Sequence, residues 1–349
     1  MKVLITGMAG LIGSHLSRHL VERGHQVVGI DNFSGGYRDF VSEETFCHHA
    51  DLQNHESVDQ IVRVERPEVV YHLAAYAAEG LSPFIRRHNY LNNVVASANV
   101  VNACLKHNVR KLVFTSSMAV YGSGKPPFTE DSPLNPIDPY GVAKLAVEQD
   151  IALAWKQFGL EYTIVRPHNV VGIYQNIWDR YRNVIGIWIR QVLEGKPITI
   201  FGDGTQKRAF SDIRYYLEPF EQLLTQCNGV TLNIGADRAW PINEAAHQMR
   251  ILAANKGFKF SEVHLEARHE AHEAYCDHAR AKELLGFTDQ TDLYSTMGEM
   301  FHWAINQPKR PVKDIPIEVE RDLYSFWRDD GRSGNPVHPA AKATEGALS

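Results

Sequence analysis

The sequence lacks the features of several protein classes. It has no run of about 20 apolar residues, so we expect no membrane-spanning helix. We expect no signal peptide, because Lys2 is followed at once by a short apolar run that ends in glycine-rich sequence. The four cysteines form no CxxC pair. Scattered cysteines are typical of reduced thiols, so we predict a cytoplasmic protein.

The sequence also lacks an excess of positive charge. Its 36 Lys and Arg residues face 41 Asp and Glu residues, which gives a formal net charge of −5. We therefore expect neither a nucleic-acid partner nor attachment to an anionic membrane. A local basic pocket for a small phosphate ligand is compatible with this charge. With 44% hydrophobic and 22% charged residues in 349 positions, the composition is that of a globular protein.

Strand-like and helix-like segments alternate over the first 165 residues. The predicted strands are 3–6, 26–30, 68–72, 111–115 and 161–166, and the predicted helices are 11–22, 91–106 and 140–158. This order predicts an α/β fold with a doubly wound parallel Rossmann sheet. We assign residues 1–165 to a Rossmann domain that contains this sheet, to which part of 208–238 returns.

The strict alternation fades in the second half of the chain. Residues 176–195 are aromatic-rich and helical in pattern, and another helix is expected in 241–257. Residues 166–207 and 239–309 are therefore predicted to form a smaller α+β substrate-binding lobe. Residues 310–349 are predicted to be a C-terminal extension that ends in a solvated tail from His338 onward.

Three glycines lie between the first strand and the first helix. Gly7 permits a tight turn, Gly10 lets the backbone approach a pyrophosphate, and Gly13 permits close packing of the helix on the sheet. The helix N-terminus then points its amides at the phosphates. Asp31 closes the second strand about 20 residues later, where its carboxylate can accept both ribose hydroxyls. Since Asn32 and Phe33 follow and no arginine does, a 2′-phosphate would be repelled, which favours NAD over NADP.

Tyr140 and Lys144 lie four residues apart on one face of a predicted helix. With 14 tyrosines in the chain, chance gives such a pair about once in two sequences of this length, so the spacing alone decides nothing. The chemistry is coherent, because a nearby ammonium favours the phenolate that can act as a base. Ser117, just after the strand 111–115, can hydrogen-bond the same substrate oxygen or merely satisfy backbone groups.

Together these residues resemble the extended short-chain dehydrogenase/reductase family, in particular its sugar-nucleotide epimerase and dehydratase branch. The resemblance covers about residues 1–290 and includes the following motifs in order: TGMAGLIG at 6–13, Asp31, Asp51-Leu52, HLAA at 72–75, Asn92-Asn93-Val94, TSSMAVYG at 115–122, PYGVAK at 139–144, RPHNVVG at 166–172, IFGDG at 200–204 and DHARAKELLGF at 277–287.

The resemblance implies roles for individual residues. The cofactor, NAD, would be held by Gly7, Gly10, Leu11, Ile12, Gly13, Asp31, Asn32, Asp51, Leu52, Leu73, Ala74, Ala75, Asn92, Tyr140 and Lys144. The catalytic residues would be Tyr140 as the base, Lys144 as its electrostatic partner, and Ser117. The nucleotide-sugar substrate would contact Ser117, Tyr140, Asn169, Phe201, Arg208, Arg268 and Tyr275, of which the two arginines would clamp phosphates.

The family's reactions all pass through a 4-keto sugar, and further acid–base residues decide which product forms from it. The resemblance places Asp-Glu after the catalytic hydroxyl residue in 4,6-dehydratases, Ser-Glu in decarboxylases, and a cysteine at the position of Ala119 in 3,5-epimerising enzymes. This chain has Met118 and Ala119 there. With no second acid or base, the ketone can only be reduced again from either face. The expectation is 4-epimerisation of UDP-glucose, UDP-galactose or UDP-glucuronate.

The segment 76–88 departs from the pattern that the resemblance implies for epimerases. Glu79 could supply a second acid–base group, or Arg86 and Arg87 could bind a sugar carboxylate. The favoured interpretation is a pocket-lining loop whose charges are exposed. A uronate such as UDP-glucuronate therefore stays among the expected substrates.

Tyr275 is predicted to limit the size of the sugar. In the 4-epimerases that the chain resembles, the residue seven positions after the phosphate-binding arginine lies beside the C2 substituent. Counting from Arg268 gives Tyr275, whose bulk would disfavour UDP-N-acetylglucosamine. A one-residue slip to Cys276 would place a small side chain there and reverse the expectation.

Rival interpretations concern a metal, a different cofactor cycle and regulation. The run His264, His269, His272, Cys276 and His278 has no standard zinc spacing, so no metal is expected. An NAD(P)H-dependent 4-keto-sugar reductase would use the same triad. A non-catalytic dinucleotide-binding regulator would tend to lose the tyrosine and lysine, which are present here. A homodimer is expected, because both predicted helices 91–106 and 140–158 are apolar on more than one face.

Overall fold

The computed structural model describes residues 1–312 and 314–328. The strands are β1 (Lys2–Thr6), β2 (Gln26–Asp31), β3 (Phe46–His49), β4 (Val69–His72), β5 (Lys111–Thr115), β6 (Glu161–Pro167), β7 (Val170–Val171), β8 (Ile198–Phe201), β9 (Lys207–Arg208), β10 (Ser211–Asp212), β11 (Val230–Ile234), β12 (Trp240–Pro241), β13 (Glu262–Leu265) and β14 (Glu273–Ala274).

The helices divide between the central sheet and the second half of the chain. They are α1 (Leu11–Glu22), α2 (His55–Glu65), α3 (Arg86–Tyr90), α4 (Ala96–Lys106), α5 (Pro139–Phe158), α6 (Val184–Leu193), α7 (Arg214–Gln222), α8 (Ile242–Asn255), α9 (Ala279–Leu285) and α10 (Leu293–Ile305). Short 3₁₀ helices cover Arg38–Phe40, Glu79–Phe84, Met118–Val120 and Ser325–Trp327.

Seven parallel strands form the central sheet in the order β11-β6-β5-β4-β1-β2-β3. The chain runs outward from β1 to one edge and then returns to build the other, which is the doubly wound topology. The predicted fold class is confirmed. The seventh strand, β11, comes from the segment 208–238 that was expected to return to the sheet.

Alternation along the strands gives the sheet two apolar faces. Val3 and Ile5 pack on one face with helices α1 and α7, whereas Leu4 packs on the other with α2, α4 and α5. These side chains are fully buried. Because successive side chains of a strand point to opposite faces, a continuous apolar run such as β1 can bury both.

The smaller lobe has a core of its own. Trp188 and Ile189 of α6 pack with Met249 of α8 and with Met297 and Phe301 of α10, and all five side chains are fully buried. Short two- and three-stranded sheets built from β7 to β10 and β12 to β14 flank these helices. The exact domain boundaries stay a prediction.

Two predicted helices differ from the observed ones. The helix expected at 91–106 begins earlier, at Arg86, and contains a π-helical segment at Leu91–Val95. The helical pattern expected over 176–195 becomes a helix only from Val184, since the preceding residues follow the wall of a cavity. Within the described ranges, no helix is both long and apolar enough to cross a membrane. The predicted solvated tail from His338 lies outside the described residues.

Candidate active site

A cavity of about 820 Å³ lies at the carboxyl ends of the central strands and extends into the smaller lobe. This edge of a doubly wound sheet is where such folds bind ligands. The predicted site residues that line the cavity are Gly7, Gly10, Leu11, Ile12, Gly13, Asp31, Asn32, Asp51, Leu52, Leu73, Ala74, Ala75, Asn92, Ser117, Tyr140, Lys144, Asn169, Phe201, Arg208 and Arg268. The expected cofactor end and the expected substrate end therefore share one cavity.

The glycine loop after β1 has no room for side chains. Gly7 has a φ of +72°, and a Cβ there would lie 2.8 Å from backbone atoms of Ala74. A Cβ on Gly13 would lie 2.3 Å from the carbonyl oxygen of Gly7. In the described structure no side chain caps the N-terminus of α1, which begins at Leu11. The helix end is thus open to an anion at the place where a dinucleotide's pyrophosphate is bound.

Asp31 is fixed beside the glycine loop at the end of β2. Its Oδ2 accepts a hydrogen bond from the Ala9 amide at 2.9 Å, and its Oδ1 accepts one from the Phe33 amide at 2.7 Å. The residue is 9% exposed and lines the cavity. A carboxylate at this position suits two ribose hydroxyls and disfavours a 2′-phosphate. The loop and Asp31 together have the shape and charge that NAD requires.

Helix α5 presents Tyr140 to the cavity from its first turn. The Asp138 side chain caps the helix by accepting from the Gly141 amide at 2.9 Å, and Pro139 occupies the first position. Proline is favoured there because its missing amide hydrogen has no helical partner to lose. Tyr140 therefore lies at the positive end of the helix dipole, which favours a negative charge on its phenol oxygen.

Lys144 lies one turn further along α5 and is 2% exposed. Its Nζ donates to the carbonyl oxygen of Thr115 at 2.8 Å and lies 5.8 Å from the centre of the Tyr140 ring. Burial lowers the pKa of Lys144 to about 7, although Glu148 opposes this shift. The backbone of β5 thus holds the ammonium beside the tyrosine.

Ser117 satisfies a backbone amide and also contacts Tyr140, while its predicted hydrogen bond to the substrate oxygen stays a prediction. Its Oγ accepts from the Ala119 amide at 3.1 Å and so caps the 3₁₀ helix Met118–Val120. The same hydroxyl hydrogen-bonds the Tyr140 side chain. A serine hydroxyl has one hydrogen and two lone pairs, so both contacts are compatible.

Glu79 lies in the same cavity, next to the tyrosine. Its side chain is open to the cavity but lies below the outer surface of the protein. Burial, and next the Asp138 carboxylate, raise the pKa of Glu79 to about 7. Burial, and next Glu79, raise the pKa of Tyr140 well above its ordinary value. The Tyr140 phenol is therefore neutral at physiological pH in the protein alone.

The two predicted phosphate-binding arginines share one internal anion. Oε2 of Glu270 lies 3.2 Å from Nη2 of Arg208 and 3.0 Å from Nη2 of Arg268. The Arg268 guanidinium also lies 4.1 Å from the centre of the Phe201 ring. All four side chains line the cavity. Two guanidinium groups that converge on one carboxylate are equally suited to converge on phosphate oxygens.

The structure does not place Tyr275 in the cavity wall. Its neighbour Ala274, in strand β14, lines the cavity instead. Adjacent residues of an extended segment point in opposite directions, which explains why Tyr275 does not line the cavity while Ala274 does. The placement of Tyr275 therefore does not support the predicted size gate, which stays untested.

The sequence missed several cavity residues, namely Asp138, Gln175 and Arg182. Arg86 and Arg87 do not line the cavity and are exposed, in agreement with the favoured interpretation of the segment 76–88. Arg182 pairs with Asp179, its Nε lying 2.7 Å from Oδ2. Asn169 has the left-handed backbone that asparagine tolerates, with a φ of +42°. The aromatic-rich segment 176–182 was the available signal for Arg182.

The histidine-rich run does not gather into a metal site. Among the described residues, the group close enough to share an ion is His19, Glu218 and Glu221. It lies outside the residues that line the cavity, and its glutamates already contact Arg23.

The family model of the NAD dependent epimerase/dehydratase family matches residues 3–235 of this chain. The chain belongs to this family. The fit of the glycine loop and of Asp31 agrees with that assignment, and the prediction of NAD as the cofactor is confirmed.

Individual members of the family resemble the chain over most of their length. It is 36% identical to a UDP-glucose 4-epimerase of Lactobacillus helveticus over 225 residues, which are 62% of this chain and 68% of the relative. A crystal structure of the Thermotoga maritima UDP-glucose 4-epimerase with UDP-glucose has a TM-score of 0.82, 27% identity, and covers 87% of this chain and 99% of that one. The UDP-glucuronic acid 4-epimerase of Bacillus cereus, with UDP-glucuronic acid and NAD, has a TM-score of 0.78, 28% identity and coverages of 87% and 98%.

Proposed function

We propose that this protein interconverts the C4 epimers of a nucleotide sugar, with UDP-glucose, UDP-galactose or UDP-glucuronate as the substrate class. The supporting observation is that Tyr140, Ser117 and Lys144 meet in a cavity that holds the dinucleotide residues at one end and two arginines at the other. Relatives with these activities have the same fold. The reductase that the sequence analysis left as an alternative would differ, because it would take up NADH or NADPH from solution in every turnover.

The residues around the sugar would act as a proton relay. Ser117 and Tyr140 would hold the 4-hydroxyl, and Tyr140 would take its proton while the carbon is oxidised. Lys144 and the N-terminus of α5 would stabilise the phenolate. NAD, when bound, supplies the group that accepts the hydride from C4 and returns it. Because the hydride and the proton that leave the sugar would both return to it, no outside reductant is needed.

The positions after Ser117 support epimerisation over elimination. Met118 and Ala119 form the 3₁₀ helix beside the triad and carry no titratable group. A 4,6-dehydratase needs an acid and a base at carbons 5 and 6. That chemistry is not available from this helix.

Glu79 supports a second candidate function. Its carboxyl group lies in the cavity and has a pKa of about 7, which suits a general base near neutral pH. Once C4 is a ketone, the hydrogens on C3 and C5 become acidic. Glu79 could then take one of these protons, and protonation of the resulting enolate from its opposite face by solvent would epimerise that carbon as well as C4.

One incubation separates these functions. The purified protein is mixed with a panel of UDP-, dTDP- and GDP-sugars in D₂O without added NADH, and the products are separated and read by NMR. Simple 4-epimerisation gives the C4 epimer with no deuterium on carbon. Deuterium at C3 or C5, lost in Glu79→Gln, would establish the second function. Turnover that requires added NADPH would show the reductase instead.

A further inference from the structure

The C-terminal strap, which we define as residues 314–328, is anchored to the Rossmann side of the cavity. The Glu318 carboxylate accepts from the amides of Arg87 and His88 at 2.7 and 2.8 Å, at the N-terminus of α3. The Glu318 amide in turn donates to the carbonyl oxygen of Phe84 at 2.8 Å. Leu323 and Trp327 are buried against the same region, at 6% and 7% exposure.

The strap is also anchored to the lobe on the other side. The Ser325 amide donates to Oε1 of Glu266 at 2.9 Å, and the Tyr324 hydroxyl accepts from the His269 amide at 2.8 Å. These contacts reach the loop that comes after β13 and that carries Arg268 and Glu270. The strap therefore bridges the cavity from one side to the other.

Three aromatic rings of the strap face the cavity. Tyr324, Phe326 and Trp327 line it, and the first two are only half-buried. The Phe326 ring lies 4.6 Å from the Phe201 ring, centre to centre. Aromatic rings that served only to fix the strap would be covered by protein, whereas these two leave part of their surface to the cavity.

The strap lies outside the part of the chain that the family model matches, which ends at residue 235. The Thermotoga structure is matched over 99% of its length, and yet this covers only 87% of the present chain. Part of this chain therefore has no counterpart in that relative. A segment that is added to the wall of the shared cavity can change which substrate binds. The residues shared with the family are already used to hold the cofactor and to form the catalytic triad.

We propose that the strap is a wall of the substrate site, in which Phe326 acts together with Phe201 as an aromatic contact surface for the flat base of a nucleoside diphosphate sugar. This inference rests on the proposed function. Stacking on an aromatic ring is tolerant of base identity and strengthens binding without touching the reacting carbon. The strap therefore acts on affinity and leaves the chemical step to Tyr140.

The test measures binding and turnover separately in the full chain. We expect Phe326→Ala to raise the Kd of the bound nucleoside diphosphate, measured by calorimetry with UDP, dTDP and GDP, about tenfold or more. KM for the sugar nucleotide should rise by a similar factor while kcat stays within about twofold. Phe326→Tyr keeps the ring and should restore both values. Phe46→Ala, at an exposed phenylalanine of β3, is the matched control.

The outcomes distinguish the strap from the proposed function. If Phe326→Ala lowers the melting temperature but leaves Kd and KM unchanged, the strap is only a brace and the inference is wrong. If kcat falls while KM does not, the inference is equally wrong. If the parent chain binds none of the three diphosphates, the proposed function itself fails. The NAD content of every variant should match that of the parent, because no hydrogen bond joins the strap to the glycine loop among the described residues.

Discussion

Tyr140 lies where burial and a carboxylate neighbour both disfavour its ionised form. Lys144 is itself shifted, since burial lowers its pKa to about 7. A base at this position therefore depends on the positive charges around it, which include the N-terminus of α5. The sequence predicted a neighbouring ammonium that favours the phenolate, and this role of Lys144 stays a prediction. The sequence could not show that burial and Glu79 raise the pKa of the phenol.

Removing the phenol oxygen tests the assignment of the base. Tyr140→Phe should lower kcat by about 10²- to 10⁴-fold, because the loss of a general acid–base group typically has an effect of this size. Binding of the sugar nucleotide and the melting temperature should stay near those of the parent. Tyr215→Phe, in helix α7, is the matched control. Near-normal turnover in Tyr140→Phe would refute the assignment.

The raised pKa of Glu79 has a consequence for stability. The ordinary value for a glutamate is 4.5 and that of Glu79 is about 7, so the folded protein holds a proton between these values that the unfolded chain releases. Stability due to this residue is therefore lost as pH rises from about 4.5 to about 7. Glu79→Gln avoids the loss.

We expect Glu79→Gln to melt at a higher temperature than the parent at about pH 8, and the gain to shrink towards about pH 5. Differential scanning calorimetry at several pH values measures this. The exposed Glu283→Gln is the matched control. A gain of equal size at both ends of the range would mean that the Glu79 carboxyl group does not titrate as described.

At the scale of the element, helix α5 carries the tyrosine and the lysine, and a buried ion pair holds it to the sheet. Arg166 of β6 donates from Nε and Nη2 to Glu148 of α5 at 2.9 and 2.6 Å, and the two side chains are 4% and 6% exposed. A fork of two parallel bonds fixes orientation as well as distance. The pair therefore sets how Tyr140 meets the end of β5.

Breaking this ion pair should lower the stability of the folded protein. Glu148→Gln leaves the Arg166 charge buried without a counter-ion, which should lower the free energy of unfolding by about 3–5 kcal/mol. Asp131→Asn, which breaks an exposed pair with Arg280, should cost about 0–1 kcal/mol. Urea denaturation of both variants provides the comparison. A loss of less than about 1 kcal/mol in Glu148→Gln would show that the helix is held by packing alone.

The elements that the sequence located best are those specified by local chemistry. The strand, glycine loop and helix of 2–22 follow from hydrophobic pattern and turn residues that lie side by side in the chain. The start of α3 could not be found in that way, because its capping group is Glu318, which lies 231 positions from Arg87. The same holds for Phe326 and Phe201. Such contacts form only in the tertiary fold, and no local sequence pattern predicts them.

At the scale of the whole molecule, an apolar strip remains on the outer side of the Rossmann domain. Val142 and Leu153 of α5 are 43% and 51% exposed, and Val95 in the adjoining π-helical segment is 40% exposed. Single exposed apolar residues are common, but several on neighbouring helices are typical of an interface between copies. The expected homodimer stays a prediction.

Val142→Asp should therefore shift the protein from dimer to monomer, because a carboxylate near a two-fold axis meets its own copy. Light scattering at micromolar concentration reports the mass, and one chain is 39.4 kDa. Val64→Asp, at an exposed valine of α2, is the matched control. A parent that scatters as a single chain would exclude the arrangement.

The carboxylate of Glu270 occupies the two arginines that an anionic ligand of the cavity would contact. Because this carboxylate is tethered within reach of Arg208 and Arg268, it competes for them at a high effective concentration that does not depend on the composition of the solution. An arriving ligand must exchange with it, so the apparent affinity is reduced by the fraction of molecules in which the arginines are engaged. A single weak anion exchanges poorly, whereas a diphosphate engages both guanidinium groups at once. We therefore expect the chain to bind a diphosphate more tightly than a monophosphate, even when neither carries a sugar.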